Sequence, residues 1–444
     1  MVLQDLFLGP LYFLIIAVIG VRYKNSFTDK VDGKYFFQGL MFKCIGALGV
    51  YLIYFSYYKT GDTIYYFRRA RIITHELFKN IITGFKLLFQ NPNIYDIETN
   101  HLFARLSAFD TSSYMVAKVC AVTNIICFDS YLANALLFAS LSYIGIWRMY
   151  KVFSDIFPKN KKEIAYACLF MPSVFFWGSG VLKDCITLGF IGLLVSSIYY
   201  TLIKPKSLPL NILLIIVSMY IVGTLKSYVL LALVPSLTTW VFMEYRNTIQ
   251  TSFLRGISTP LFLLLITIMG AFSLQFLSTS FQKFNLENIQ SRAEDMQRWH
   301  LYSVEVLNDG QGSAYSLGEI SFTPLGLLQK LPAAFNVAIF RPYLWEVSSP
   351  VMLLSFLEST ALLLLTLRLF VLALRKPGKF FSFINQHASL LFMLVFSIIF
   401  AFSVGFTSYN FGALSRYRIP LLPFYLLSIL ILSQALQTNP TSKK

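Results

Sequence analysis

The sequence predicts an all-α polytopic membrane protein with about ten to twelve transmembrane helices. Three observations lead there. Of the 444 residues, 56% are hydrophobic and only 13% charged, and the mean hydropathy is +0.63. A soluble chain of this length needs more charge to cover its surface. Apolar runs such as FLIIAVIG, LGFIGLLVSSIYY and LLFMLVFSIIFAFSVGF recur along the whole length, and about ten or eleven approach the ~20 residues a bilayer span requires. The runs are continuous, whereas β-barrel strands would alternate.

The formal net charge of +16 would suggest a nucleic-acid partner in a soluble protein. Here Lys and Arg cluster in short loops, as the positive-inside rule expects, and no nucleic acid is implied. The five cysteines, Cys44, Cys120, Cys127, Cys168 and Cys185, lie in or beside apolar segments and form no CxxC pair. They read as small buried hydrophobes. The first apolar segment has neither a basic n-region nor a small-residue cleavage site, so it reads as a span and not as a removable signal.

The spans follow in order, with charge setting their direction. Residues 6–21 lead to Arg22, Lys24, Lys30 and Lys34 on the cytoplasmic side. Residues 36–58 return to a long outer segment, 59–130. Within it, FRRARIITHELFKNIITGFKLLF spaces Ile72, Ile73, Leu77, Phe78, Ile81, Ile82, Phe85 and Leu88 helically, with basic residues opposite. That pattern predicts an amphipathic helix on the membrane surface. The stretch 114–128, interrupted by Lys118 and Asn124, is short for a span and reads as interfacial or re-entrant. Span 131–152 leads in, to Arg148, Lys151, Lys159, Lys161 and Lys162. Span 164–181 leads out, and 185–203 leads in, to Lys204 and Lys206. Span 210–224 leads out to Lys226, and 229–243 leads in, to Arg246 and Arg255. Span 257–277 leads out to a second large loop, 278–348. Spans 351–371, 389–406 and 419–436 complete a single transmembrane domain over 1–444, ending at Lys443 and Lys444.

With this layout, several unusual polar residues gather at one level, the outer membrane–water boundary. Asp62 and Tyr66 lie in TGDTIYYF. Lys183 and Asp184 end PSVFFWGSGVLKD, where Gly178 and Gly180 ease a turn and Trp177 is expected at the interface. Lys226 lies in GTLKSY, His300 in the second loop, Arg341, Trp345 and Glu346 in FRPYLWEV, and Arg416 and Arg418 in SRYRIPLLP. Each alone fits snorkelling or an aromatic belt. Cations at three short outer turns run against the positive-inside rule, and together they suit a phosphate or pyrophosphate headgroup. A carboxylate such as Asp62 can then act as a general base or help hold a divalent cation. No HExxH, GxSxG or Walker motif is present, and His75, His101, His300 and His387 have no metal-ligand spacing. Lys43 alone falls mid-span, with no evident partner.

An acidic residue opening the first outer loop, a PSxxFWxSGxxKD hairpin and a closing RYRxPLLPF together resemble the GT-C class of membrane glycosyltransferases. That class includes protein O-mannosyltransferases and aminoarabinose transferases. The resemblance implies an inverting transfer from a polyprenyl-phosphate sugar to an envelope glycan, lipid or protein acceptor on the periplasmic or extracellular side of an inner (plasma) membrane. It implies Asp62 and Asp184 as catalytic residues. It also implies phosphate contacts from Lys183 and from Arg416 or Arg418. By their level at the outer boundary, Lys226 and Arg341 are further candidates for phosphate, and Tyr66, His300, Trp345 and Glu346 for sugar or acceptor. Asp62-Thr63 departs from the commoner Asp-Glu of the first loop. An O-antigen-type polymerase or ligase using undecaprenyl-pyrophosphate glycans also fits the layout. A transporter without chemistry would instead carry mid-membrane charges and inverted repeats.

Overall fold

A polar backbone in hydrocarbon must satisfy its own hydrogen bonds, so an apolar run of span length has helix as its one accessible form outside a closed barrel. The computed structural model describes residues 3–90, 110–246, 315–318 and 324–438, with a few isolated positions besides. It is built of helices, and no strand occurs among the described residues. Among the described residues, seven helices are long and apolar enough to cross a membrane, or eight if a bent pair counts as one span. The protein is a multi-pass membrane protein. The chain divides into two compact units, residues 1–227 and 228–444.

The first unit opens with α1 (Leu3–Ser26) and α2 (Lys30–Leu52), which continues as a π turn to Tyr58. The expected amphipathic helix forms, but as two: α3 (Asp62–Lys79) and α4 (Ile81–Phe89). Asn80 makes the break, because its side chain caps α4 by accepting from the Ile82 and Thr83 amides. Phe78, Ile81, Ile82, Phe85 and Phe89 are exposed, as an apolar face turned to lipid would be. Next come α5 (Thr111–Cys127) and α6 (Tyr131–Ile156).

The expected span 164–181 is not one helix. It comprises α7 (Lys161–Ala165) with a π turn to Phe170, an extended Met171, and the short α8 (Pro172–Phe176). Pro172 lacks an amide to continue the helix and starts a new one. Trp177, expected at the interface, is buried instead. Lys43 on α2, expected to lack a partner, donates from a buried Nζ to the Gly178 carbonyl. That bond fastens the PSVFFWGSG segment to α2, whose Gly46 leaves no room for a side chain beneath Phe175. Gly180 takes the expected left-handed turn at φ 82°. Then follow α9 (Lys183–Ile198), with a π turn to Ile203, and α10 (Leu208–Arg246). Helices α6 and α9 run parallel and close: a Cβ on Gly145 would lie 1.8 Å from the Gly189 carbonyl oxygen. The expected spans 210–224 and 229–243 fall within α10, broken only at Lys226 (φ −148°, ψ 73°).

This unit has two distinct ends. At one, buried Asp5 accepts from Ser130 Oγ (2.7 Å), the Leu132 amide (3.1 Å) and the Tyr51 hydroxyl (3.3 Å). At the other, Asp32 is bonded by Lys151 and Lys161, and Asp155 accepts from Lys204 (2.8 and 2.7 Å). The short basic loops after α6 and α9 therefore meet at one end, as the charge layout requires. Both ends of α5 rest at the opposite end. Asp110, its cap, reaches Lys183 at the start of α9, and its C-terminus turns through Ser130 into α6.

In the second unit, α11 (Pro324–Phe340), α12 (Pro350–Arg375), α13 (Pro377–Gln386), α14 (Ala388–Thr407), α15 (Phe411–Tyr417) and α16 (Leu422–Gln437) follow in order. Helix α14 packs against α11 and α16, and the later half of α10 adds Trp240, stacked on Phe392 at 5.1 Å. Helices α15 and α16 are bent by 70° at a break containing Arg418. The expected span 257–277 and most of loop 278–348 lie outside the described residues.

Candidate functional site

The GDT stretch builds its own corner. Gly61 has φ 128°, a conformation open only to glycine, and a Cβ there would sit 2.6 Å from the Tyr54 ring. The Gly61 carbonyl then accepts from the amides of Ile64 (3.1 Å) and Tyr65 (3.2 Å), and α3 starts at Asp62. The Asp62 carboxylate stands exposed at the helix N-terminus, where the macrodipole favours it. Thr63 hydrogen-bonds the Tyr131 hydroxyl and anchors this corner to the start of α6. One turn on, Tyr66 is buried with its ring 6.0 Å from Lys183 Nζ. Burial pushes the Tyr66 phenol well above its ordinary range, and the carboxylates of Asp62, Asp184 and Asp110 add to that. Three acids thus converge on one tyrosine.

Asp110 is the member that the sequence reading missed. It caps α5, accepting from the Ser113 amide (2.9 Å) and Ser112 Oγ (2.7 Å). It also meets Lys183 Nζ at 3.4 Å, and Lys183 donates to Ser112 Oγ at 2.6 Å. Burial works against the charged Asp110, yet the bonds from Ser113 and Ser112 and the charge of Lys183 outweigh it and hold this carboxyl well below the usual range. Its one sequence signal is an Asp directly before TSSYMVAKVC, which marks a helix cap.

Lys183 and Asp184 open α9. An acid in the first turn is favoured by the helix dipole and a lysine is not, so Lys183 depends on Asp110 and Ser112. Asp184 turns the other way and takes an ion pair from Lys226, both side chains buried. The break in α10 at Lys226 lets that ammonium reach across. Asp62 and Lys226 both lie within electrostatic range of Lys183. The first unit therefore gathers Asp62, Tyr66, Lys183, Asp184 and Lys226 of the expected set, and adds Asp110 and Ser112.

Beneath this cluster lies an apolar cavity of about 320 Å³, lined by Val119, Phe138, Leu141, Ile186, Phe190 and Leu193 among others. The lining residues of α9 start three positions after Lys183, or about 5 Å along the helix axis. Val119 lies two turns beyond Ser112 on α5. The same helices thus carry cations at their ends and hydrocarbon along their flanks.

The second unit holds the remaining expected residues. Arg341 is paired bidentately with Glu346 (Nε to Oε1 2.9 Å, to Oε2 3.0 Å), and its guanidinium lies 5.2 Å from the Phe411 ring. Trp345 is exposed, with its ring 4.9 Å from that of Tyr343. Arg416 is half-buried on α15. Arg418, expected to meet phosphate, is fully enclosed. It donates to Ser359 Oγ (2.8 Å), the Arg341 carbonyl (3.2 Å) and Glu358 (3.3 Å). His300 lies outside the described residues. Among the described residues no three His, Cys, Asp or Glu side chains converge to hold a metal ion. No protein-family model, curated protein or solved structure matches this chain.

Proposed function

We propose that the first unit transfers a sugar from a polyprenyl-phosphate carrier to a hydroxyl acceptor. The observation that carries this reading is the stacking of a cation–carboxylate cluster on an apolar cavity within one set of helices. A phosphorylated prenyl chain has that same order, a charged head on a hydrocarbon tail. The cavity takes the first isoprene units, and the Lys183 ammonium faces the phosphate, with Lys226 adding positive charge from behind in its buried pair with Asp184. Lys183 commits two of its three protons, to Asp110 and Ser112, which leaves the third for a phosphate oxygen.

The step balances without a redox partner. The acceptor oxygen forms a bond to the sugar's anomeric carbon, from the face opposite the phosphate. The carbon–oxygen bond to phosphate breaks, and its electron pair stays on the leaving phosphate. The acceptor's proton goes to a carboxylate. Asp62 suits that role, being exposed at the helix corner. Asp184 is enclosed with Lys226, and Asp110 is held ionised by its bonds and is a weak base.

The test is release of polyprenyl phosphate by the purified full chain in nanodiscs, offered a panel of polyprenyl-monophosphate sugars. Release by the wild type, slowed at least about a hundredfold by Asp62→Asn, supports the reading. Polymerisation of a preassembled pyrophosphate-linked glycan without single-sugar transfer favours the polymerase. Movement of intact lipid between leaflets with no release favours a transporter.

A further inference from the structure

A second cavity of the first unit lies away from the proposed site, at its other end. It has a volume of about 650 Å³ and is lined by Lys151, Ser154, Asp155, Lys161, Lys204 and Lys206, together with Tyr200 and two prolines. We infer that this cavity is an anion site that binds a phosphate-bearing ligand on the side opposite the proposed transfer chemistry.

Three observations support the inference. First, four lysines from three separate stretches of chain converge on one concavity. The positive-inside rule places lysines in loops but does not require them to share a cavity. Second, the cations outnumber the acids on the wall four to one. Asp32 answers Lys151 and Lys161 from behind, Asp29 also pairs with Lys161, and Asp155 answers Lys204, while the Lys206 ammonium has no side-chain partner among the described residues. Arg148 adds a further charge close by, 6.0 Å from the Tyr200 ring. Its bonds go to the neutral side chains of Ser196 (3.1 Å) and Asn211 (2.6 Å). An anion in the cavity would relieve this excess, and phosphate oxygens accept well from several ammonium groups at once. Third, the walls are held in place. Backbone amides of Lys204 and Lys206 both return to the Tyr199–Tyr200 turn at 2.8 Å, and Asn211 Nδ2 bonds the Lys206 carbonyl at 2.6 Å. The volume falls within the range of small-molecule sites, about 300–1,000 Å³.

The phosphate can come from a soluble ester or from the headgroup of an anionic lipid, and two probes separate them. Inorganic pyrophosphate is titrated into the full chain in phosphatidylcholine nanodiscs. In parallel, phosphatidylglycerol retention from mixed micelles is read by native mass spectrometry. The wild type should bind at least one probe, and Lys204→Gln with Lys206→Gln should weaken that binding roughly tenfold. Lys206→Gln alone, at a side chain with no bond to lose, gives a smaller loss in the same direction and guards against misfolding of the double variant. Lys159→Gln with Lys162→Gln removes the same charge from exposed positions outside the cavity and should leave binding within about twofold. Pyrophosphate binding alone identifies a soluble ligand, and phosphatidylglycerol retention alone identifies a lipid. Equal losses in the two double variants, or no binding of either probe by the wild type, would overturn the site.

Discussion

Two buried cation–carboxylate pairs, one in each unit, look alike on paper and differ in their surroundings. Lys226 and Asp184 are 5% and 6% exposed, and Arg418 and Glu358 are 1% and 5% exposed. Arg418 is held on several sides. Its guanidinium ties α12, through Ser359 and Glu358, to the carbonyl that ends α11 and to the bend before α16. Lys226–Asp184 stands beside a second, more open pair, Lys183–Asp110, with side chains 20% and 35% exposed. Hydrocarbon-lined space lies below. Burial of a charge therefore does not by itself mark a working site. The open neighbour and the cavity make the difference: Arg418 is enclosed by its own partners, and under the proposed function the lysines, not Arg418, meet the phosphate.

The sharpest way to break that contrast is to remove the charges. Glu358→Ala or Asp184→Ala strands a buried cation and should cost about 3–5 kcal/mol of stability, read as a lowered unfolding midpoint in detergent. Replacing both partners by apolar residues should recover most of that stability in either unit. The two double variants should then part company. Arg418→Met with Glu358→Leu keeps sugar transfer, whereas Lys226→Met with Asp184→Leu is folded and inactive. The opposite pattern would reverse the assignment. Next in size is Asp62→Asn, which should slow transfer by about 10²–10³-fold while moving stability by no more than about 0.5 kcal/mol, as an exposed substitution does.

Much of this was legible in the sequence because lipid leaves few choices. An apolar run of span length becomes a helix, and α6, α12 and α14 begin and end within a few residues of their apolar runs. The breaks were harder. Asn80 fits a helical pattern as well as a cap, so the amphipathic segment reads as one helix. Lys226 breaks α10 with no Pro or Gly at the position, and its departure from helical geometry accompanies the bond to Asp184, 42 residues earlier. Asp62, Lys183 and Asp184 stood out because charge at an outer turn needs a reason. Asp110 did not, since its cap is local and its second partner lies 73 residues onward. Lys43 has no evident partner in the sequence because its partner is a backbone carbonyl, which no side-chain pattern reveals.

A smaller effect tests whether the Asp62 corner is built as rigidly as the Lys183 end. Gly61→Ala places a Cβ at φ 128° and against the Tyr54 ring. It should cost about 1–3 kcal/mol and lower transfer with it, read by unfolding midpoint and by rate on the same preparation. Restoring the midpoint by a stabilising substitution elsewhere should not restore the rate, because Asp62 remains displaced.

The smallest expected effect is a pH dependence, and it separates the open pair from the enclosed ones. Asp110 is held below its ordinary value of 3.8 in the folded protein. A depressed carboxyl lends stability that is fully present above the unfolded value and is lost as pH falls through the folded one. The contribution of Asp110 should thus be constant from neutrality down to about pH 4 and fade only below it. The pair is partly exposed, so solvent screens the effect and it remains small. Comparing unfolding midpoints of the wild type and Asp110→Asn between about pH 3 and pH 6 reads it directly. The difference should be flat at the upper end and shrink toward the acid end. A difference that instead grows on acidification would mean that Asp110 is not ionised beside Lys183, and Lys183 would then have no standing counter-charge to yield to an incoming phosphate.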